Sequence, residues 1–170
     1  VYSYLLRDLK IERKNHVWAT DITFIPMPKG HMYLCAIIDL YSRYVLSWNI
    51  SNTMDTALCI GVLKDALQHH GKPKIFNSDQ GSQFTSPNFT NILEDQGVMI
   101  SMDSVGRALD NIFIERLWRS VKYECIYLNA FENGVQLYQG LEQYFKFYNC
   151  ERKHQSLDYQ TPEKLFKKIV

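Results

Sequence analysis

The chain has 170 residues, 46% of them apolar and 22% charged, the composition of an ordinary soluble globular domain with room for a real core. A net charge of +1 excludes a bulk positive field, so any hold on nucleic acid has to come from local clusters of Lys and Arg. No apolar run approaches the roughly 18–20 residues of a membrane span, and no secretory signal is visible.

Residues 1–15 are mixed and basic and read as a lead-in arm or linker. The run VWATDITFIP at 17–26, rich in β-branched and aromatic residues, predicts a strand. PKG at 28–30 is a turn, MYLCAIID at 32–39 a second strand, LYSR at 40–43 a tight connection and YVLSWNIS at 44–51 a third strand. Three strands on short turns predict an antiparallel meander. Asn52-Thr53 can cap a helix from Met54 to about His70, whose apolar positions Ala57, Ile60, Leu63 and Leu67 recur at helical spacing; Gly71 and Pro73 end it.

KIFNSD at 74–79 is a short buried strand entered from a helix, so parallel pairing is expected. SPNFTNILEDQG at 86–97 predicts a helix with Ser86 as cap and Pro87 in its first turn, and VMISM at 98–102 a fifth strand. DSVGRA at 103–108 is a polar loop. Helices follow from about Leu109 to Tyr127 and from about Glu132 to Asn149, and Thr161-Pro162 starts a short last one. The expected architecture is α/β, one five-stranded mixed sheet flanked by helices. The expected divisions are an arm over 1–15, a core over 16–150 and a tail over 151–170 that packs on the core. The first residue is Val, not Met, which suits a piece of a longer polypeptide. Four scattered cysteines (Cys35, Cys59, Cys125, Cys150), with no CxxC and no zinc spacing, read as buried, reduced thiols of a cytosolic protein.

Three carboxylates stand where a charge is a liability or a luxury. Asp21 interrupts an apolar strand, Asp79 ends another, and Glu115 lies inside an amphipathic helical pattern, with 35 residues between the last two. Such a triad suits two divalent cations for phosphodiester chemistry, because Mg²⁺ prefers oxygen ligands and shares them with substrate phosphates. Each residue also has a plainer use: Asp21 on a solvent face, Asp79 as a turn former in DQGSQ, Glu115 in helix ion pairs. At about 100° per residue, Asn111, Glu115, Arg119 and Lys122 share one helix face. Basic residues cluster at 7–14, at Arg116/Arg119/Lys122, at Arg152/Lys153 and at 164–168; the middle cluster suits phosphate contact and the terminal ones solvated surface. Asp39 suits a turn, His154 a structural contact that closes the tail, and Trp48 and Trp118 packing.

This order of strands, helices and carboxylates resembles the ribonuclease H-like fold of retroviral integrases and DDE transposases. The segments WATDIT, IIDLYSR, SDQGSQFTS, SMDSVGRALDN, ERLWRSVKYE and YNCERKHQSLDYQTP narrow it: they look like the catalytic core of a bacterial insertion-sequence transposase, of the group that fuses two overlapping reading frames. The resemblance implies a catalytic and metal-binding triad of Asp21, Asp79 and Glu115, with Mg²⁺ or Mn²⁺ as cofactor and two ions once DNA is bound. It places a DNA-contacting base at Lys122; Arg119, Arg116, Asn111 and Arg107 are further candidates for DNA contact. Ser104 and Val105 depart from the Gly or basic residue common there in the family. Implied partners are transposon-end and target DNA, further copies of the chain in the active complex, and an N-terminal helix-turn-helix region or a separate first-frame protein. No membrane is implied, and the expected location is the bacterial cytoplasm, on the nucleoid when bound to DNA. The alternatives are a nuclease of the same fold that cleaves without joining, and a non-catalytic DNA-binding module derived from a transposase.

Overall fold

The computed structural model describes residues 2–106 and 111–168. Five strands form one sheet in the order β3-β2-β1-β4-β5. They are β1 (Val17–Pro26), β2 (His31–Asp39), β3 (Val45–Ser51), β4 (Ile75–Ser78) and β5 (Met99–Met102). β1 runs antiparallel to β2 from Trp18↔Asp39 to Pro26↔His31, and β2 antiparallel to β3 with a register shift between Ile37 and Ile38. β4 is parallel to both β1 and β5. The expected mixed sheet, meander first and parallel strands after, is the observed one.

The period of two along β1 and β4 sends successive side chains to opposite faces and so builds two cores. On one face Val17, Ala19 and Ile75 pack with α4 (Ile112–Val121) and α5 (Gly134–Cys150). On the other, Trp18 and Phe76 pack with α1 (Thr56–His70) and α3 (Pro87–Asp95). Two short helices, α2 (Ser82–Thr85) and α6 (Pro162–Phe166), complete the second layer, through Phe84 and Phe166. Residues 2–14 form no regular element, yet Leu6, Leu9 and Ile11 pack against the α4/α5 core and the Met102 N–H donates to the Ser3 carbonyl at 3.2 Å.

Local chemistry shifts some boundaries. The cap of α1 is Asp55, not Asn52 or Thr53: its carboxylate accepts the Leu58 N–H at 3.0 Å, and the Thr53 hydroxyl donates to it in turn at 2.9 Å. Ser86 precedes α3 but its side chain makes no capping bond. The long helix expected from Leu109 begins, among the described residues, at Ile112 and gives way to a wider π-helical turn over Lys122–Ile126. Of the four free thiols, Cys35, Cys59 and Cys125 are buried as expected while Cys150 is exposed. No helix of the described residues is long and apolar enough to cross a membrane.

One side chain ties α5 to the edge of the sheet. Asn149 accepts the Val45 N–H at 2.8 Å and donates to the Val45 carbonyl at 3.0 Å, standing in for a further strand at the start of β3. Asn149 and Val45 are both buried, so removing the amide leaves two backbone groups without water or partner. Asn149→Ala is expected to lower the unfolding free energy by about 2 kcal/mol in urea. An unchanged midpoint would show that the pairing contributes nothing.

Candidate active site at the carboxylate cleft

The β1–β4 register sets the first two acids side by side. Ala19 pairs with Asn77, so two residues further on, past the end of β4 at Ser78, Asp21 comes level with Asp79. Both continue the face covered by α4. That helix buries Ile114, Leu117, Trp118 and Val121 in the core, and this seating turns Asn111 and Glu115 toward the two aspartates. The result is a cleft of about 410 Å³ lined by all three carboxylates together with Gln80, Asp103, Ser104, Val105, Gly106 and Asn111.

The local bonds hold these groups in place. The Asp79 carboxylate accepts the Gly81 N–H at 2.7 Å, which fixes the turn out of β4. A Cβ on Gly81 would sit 2.8 Å from that same oxygen, so the turn and the carboxylate together require glycine there. Asp21 accepts the indole N–H of Trp118 at 3.2 Å. Burial pushes the Asp21 carboxyl up to about 6, the Ile22 N–H and the Trp118 indole oppose that, and the charges of Asp79 and Glu115 add to it.

Two residues of the site escaped the sequence. Asp103 is buried at the end of β5, accepts the Asn77 amide at 2.8 Å and lines the cleft as a fourth carboxylate. The signal was present, since a carboxylate leaving the carboxyl end of a parallel strand is the position already noted for Asp79. Trp118 packs, as expected, but also orients Asp21. Asp39 is the turn residue expected: it accepts the Asn15 and Ser42 N–H groups at 2.8 and 2.9 Å and the Ser42 hydroxyl at 2.7 Å. Among the described DNA-contact candidates only Asn111 lines the cleft; Arg116 and Arg119 line a neighbouring pocket and Lys122 lines neither. Arg107 lies outside the described residues.

Hard cations fit the donor set, which offers carboxylate and amide oxygens and neither Cys nor His. Among the described residues no group of three His, Cys, Asp or Glu side chains is placed to hold a metal ion by itself. A site that shares ions between pairs of carboxylates and substrate oxygens does not need such a group.

Residues 11–108 match the model of the integrase core domain, and residues 96–162 match a second model of the same description. The chain belongs to the integrase core domain family. Among its relatives is the transposase for insertion sequence element IS904 of Lactococcus lactis subsp. lactis (strain IL1403), 34% identical over 157 residues, 91% of this chain and 62% of that protein. The putative transposase InsK for insertion sequence element IS150 of Escherichia coli (strain K12) is 34% identical over 161 residues, 93% of this chain and 56% of that protein. The chain therefore spans between about half and two thirds of these relatives' lengths. Among solved structures, the simian T-cell lymphotropic virus intasome in complex with PP2A regulatory subunit B56 gamma matches with a TM-score of 0.80 at 19% identity, over 94% of this chain and 58% of that one. The HTLV-2 integrase catalytic core in complex with magnesium matches with a TM-score of 0.68 at 20% identity, over 92% of this chain and 98% of that one. The fold of this integrase core domain is thus the ribonuclease H-like fold of the retroviral integrase cores.

The raised Asp21 value sets a pH dependence for the metal-free protein. Its folded pKa of about 6 lies above the ordinary 3.8, so between these values the folded chain binds the proton more tightly than the unfolded chain does. Stability therefore falls as pH rises through that window. Asp21→Asn is expected to raise metal-free stability at pH 7.5 by of order 2 kcal/mol and to add nothing near pH 4. Denaturant unfolding in EDTA at both pH values checks this, and a gain independent of pH would contradict it.

Proposed function

We propose that the chain is the catalytic core of a DDE transposase, which cuts DNA strands at element ends and joins them to target DNA. The observation that carries this assignment is the meeting of Asp21, Asp79 and Glu115, from a strand, a strand end and a helix, at one open cleft whose polar side chains, among the described residues, offer only oxygen and amide groups. Mg²⁺ or Mn²⁺ held by these three carboxylates, two ions with DNA bound, would supply Lewis-acid activation of the attacking hydroxyl and charge compensation at the leaving oxygen.

The chain's own residues do the rest. Trp118 keeps Asp21 turned into the cleft, and the Gly81 N–H does the same for Asp79. The Gln80 amide donates to the Asp103 carbonyl at 3.0 Å and thereby ties the loop after β5 to the turn after β4. Asn111, Arg116, Arg119 and Lys122 on α4 and its continuation are the groups for DNA contact, with Lys122 as a compact charge for a phosphate.

The relatives' names support the transposase assignment, and magnesium in the HTLV-2 core supports the choice of metal. The same viral core has been solved in dimeric and trimeric forms, which supports assembly of several copies in the active complex. Recognition of the element ends belongs, in this proposal, to an N-terminal helix-turn-helix region or to a first-frame partner protein, in the bacterial cytoplasm. The deciding assay is metal-dependent nicking and joining of labelled element-end DNA; cleavage without joining would leave a nuclease of the same fold.

Two substitutions test the assignments separately. Asp79→Asn should abolish both cleavage and joining while the melting temperature without metal stays level or rises, because the amide keeps the shape and removes a repelling charge. Retained strand joining would overturn the triad. Lys122→Ala should reduce joining at least tenfold at a stability cost of only a few tenths of a kcal/mol, and Lys122→Arg should recover part of the loss. Normal joining by the alanine variant would leave Lys122 as an ordinary half-exposed helix residue.

A further inference from the structure

Beside the carboxylate cleft, on the next face of α4, lies a second pocket of about 330 Å³ lined by four arginines, Arg43, Arg116, Arg119 and Arg152. They come from three separate segments: the turn between β2 and β3, α4, and the stretch after α5. Among the described residues Glu124 is the one acidic residue in the lining, and Arg152 already holds it with two N–H bonds of 2.8 and 2.7 Å. Among the described residues, Arg43, Arg116 and Arg119 make no ion pair with any carboxylate. Three guanidinium groups thus stand in one pocket without a direct ion pair, in a chain whose net charge is +1.

Arg43 is placed there against its backbone preference. It sits at φ +66°, a left-handed conformation in which glycine or asparagine would close the turn with less strain. Its guanidinium lies 3.9 Å over the Phe113 ring and donates to the Leu40 carbonyl. Burial, and after it the Arg116 charge, pulls the Arg43 pKa down against the opposing influence of Tyr148 and Asp39. His154, held at about 4 by burial and by the charges of Arg152 and Arg43, adds a neutral ring to the wall. Half-buried Ser120 adds a hydroxyl with no protein partner among the described residues. Fork-shaped donors from two segments, Arg43 and the Arg116/Arg119 pair, with hydroxyl and imidazole beside them, suit a tetrahedral oxyanion better than an apolar ligand.

We infer that this pocket seats a backbone phosphate of the bound DNA, a short step along the strand from the phosphodiester at the carboxylates. Glu115 and Arg119 are one turn apart on the same helix, roughly 6 Å along its axis, a span of one to two nucleotides of a strand. The inference rests on the proposal that the chain acts on DNA. It adds Arg43 and Arg152, which neither helical spacing nor the carboxylate cleft points to.

The test is the binding of a short labelled DNA duplex in EDTA, followed by anisotropy across a salt series. The proteins are the unsubstituted chain, Arg43→Gln, Arg116→Glu, and Lys64→Glu on the exposed side of α1, across the sheet. The seat predicts that Arg43→Gln and Arg116→Glu each weaken binding about tenfold and flatten the slope of log K against log salt by about one, whereas Lys64→Glu stays within about twofold. Equal losses from Lys64→Glu and Arg116→Glu would reduce the pocket to a share of the general field and overturn the seat, as would binding unchanged in both arginine variants. Should Arg43→Gln fail to fold, exposed Arg116→Glu decides alone. The two proposals separate cleanly, because Asp79→Asn reports on cleavage and the EDTA titration does not need the carboxylates. Unchanged binding in the arginine variants beside a dead Asp79→Asn removes the seat and keeps the enzyme; the reverse pattern keeps the seat and removes the triad.

Discussion

β1 and β4 run parallel for only three paired positions, Val17↔Ile75 to Ala19↔Asn77, and the cleft exists because that pairing is so short. A longer β4 would cover the flank of β1 with another ladder of hydrogen bonds. As it is, β4 stops at Ser78 while β1 continues to Pro26 beside β2 alone. Asp21 and Asp79 therefore emerge level with each other where the sheet steps down in width, each two residues past the last pair on the face that α4 covers. Open α/β sheets bind ligands at this kind of edge, beyond the carboxyl ends of parallel strands. The position of Glu115 follows from the same face, since α4 can seat Ile114, Leu117 and Val121 only with its Asn111–Glu115 side toward the step.

Asp39 and Asp21 show how differently this fold treats two carboxylates withdrawn from solvent. Asp39 is fully buried and answered by three donors, the Asn15 N–H and the Ser42 N–H and hydroxyl, so its oxygens are closed to a ligand. Asp21 receives the Trp118 indole and its neighbour's N–H, faces two further negative charges, and opens onto the cleft. The shared direction of their pKa shifts would not separate them, because burial leads in both. The count of donors does: a saturated acid holds structure, and an under-served acid beside other acids is poised for a cation.

The sequence carried the sheet well because its signals are local. β-branched runs, short turns and the helix between β3 and β4 announce strand order and the change from antiparallel to parallel pairing. What it could not carry is local text with long-range partners. DQGSQ reads as a turn and nothing in it announces the helix α2 that begins at Ser82, which Phe84 seats by packing against Phe89 at 5.4 Å. Asp103 looks like loop polarity until Asn77, 26 positions earlier, donates to it from the neighbouring strand. Arg152 looks like tail surface, and only folding brings it to α4. The π-helical turn after Val121 is invisible to apolar periodicity, since one extra residue in the last turn leaves no gap in the pattern.

That wider turn has a structural use which joins the two pockets. By letting the chain out one residue, it aims Glu124 at α5, where the Tyr144 hydroxyl donates to it at 2.9 Å and Arg152 grips it with both arms of its guanidinium. Buried Tyr144 and Tyr148 wall the same side, and Tyr148 meets the His154 ring edge-on at 4.9 Å. The C-terminal end of α4 is thereby clamped to α5 and to the segment after it, while Trp118 pins the middle of the helix to Asp21. A helix held at both places cannot slide or roll without breaking core packing. Glu115 on one side and Arg116 and Arg119 on the next keep a fixed separation, so whatever the arginines hold is held at a set distance from the carboxylates.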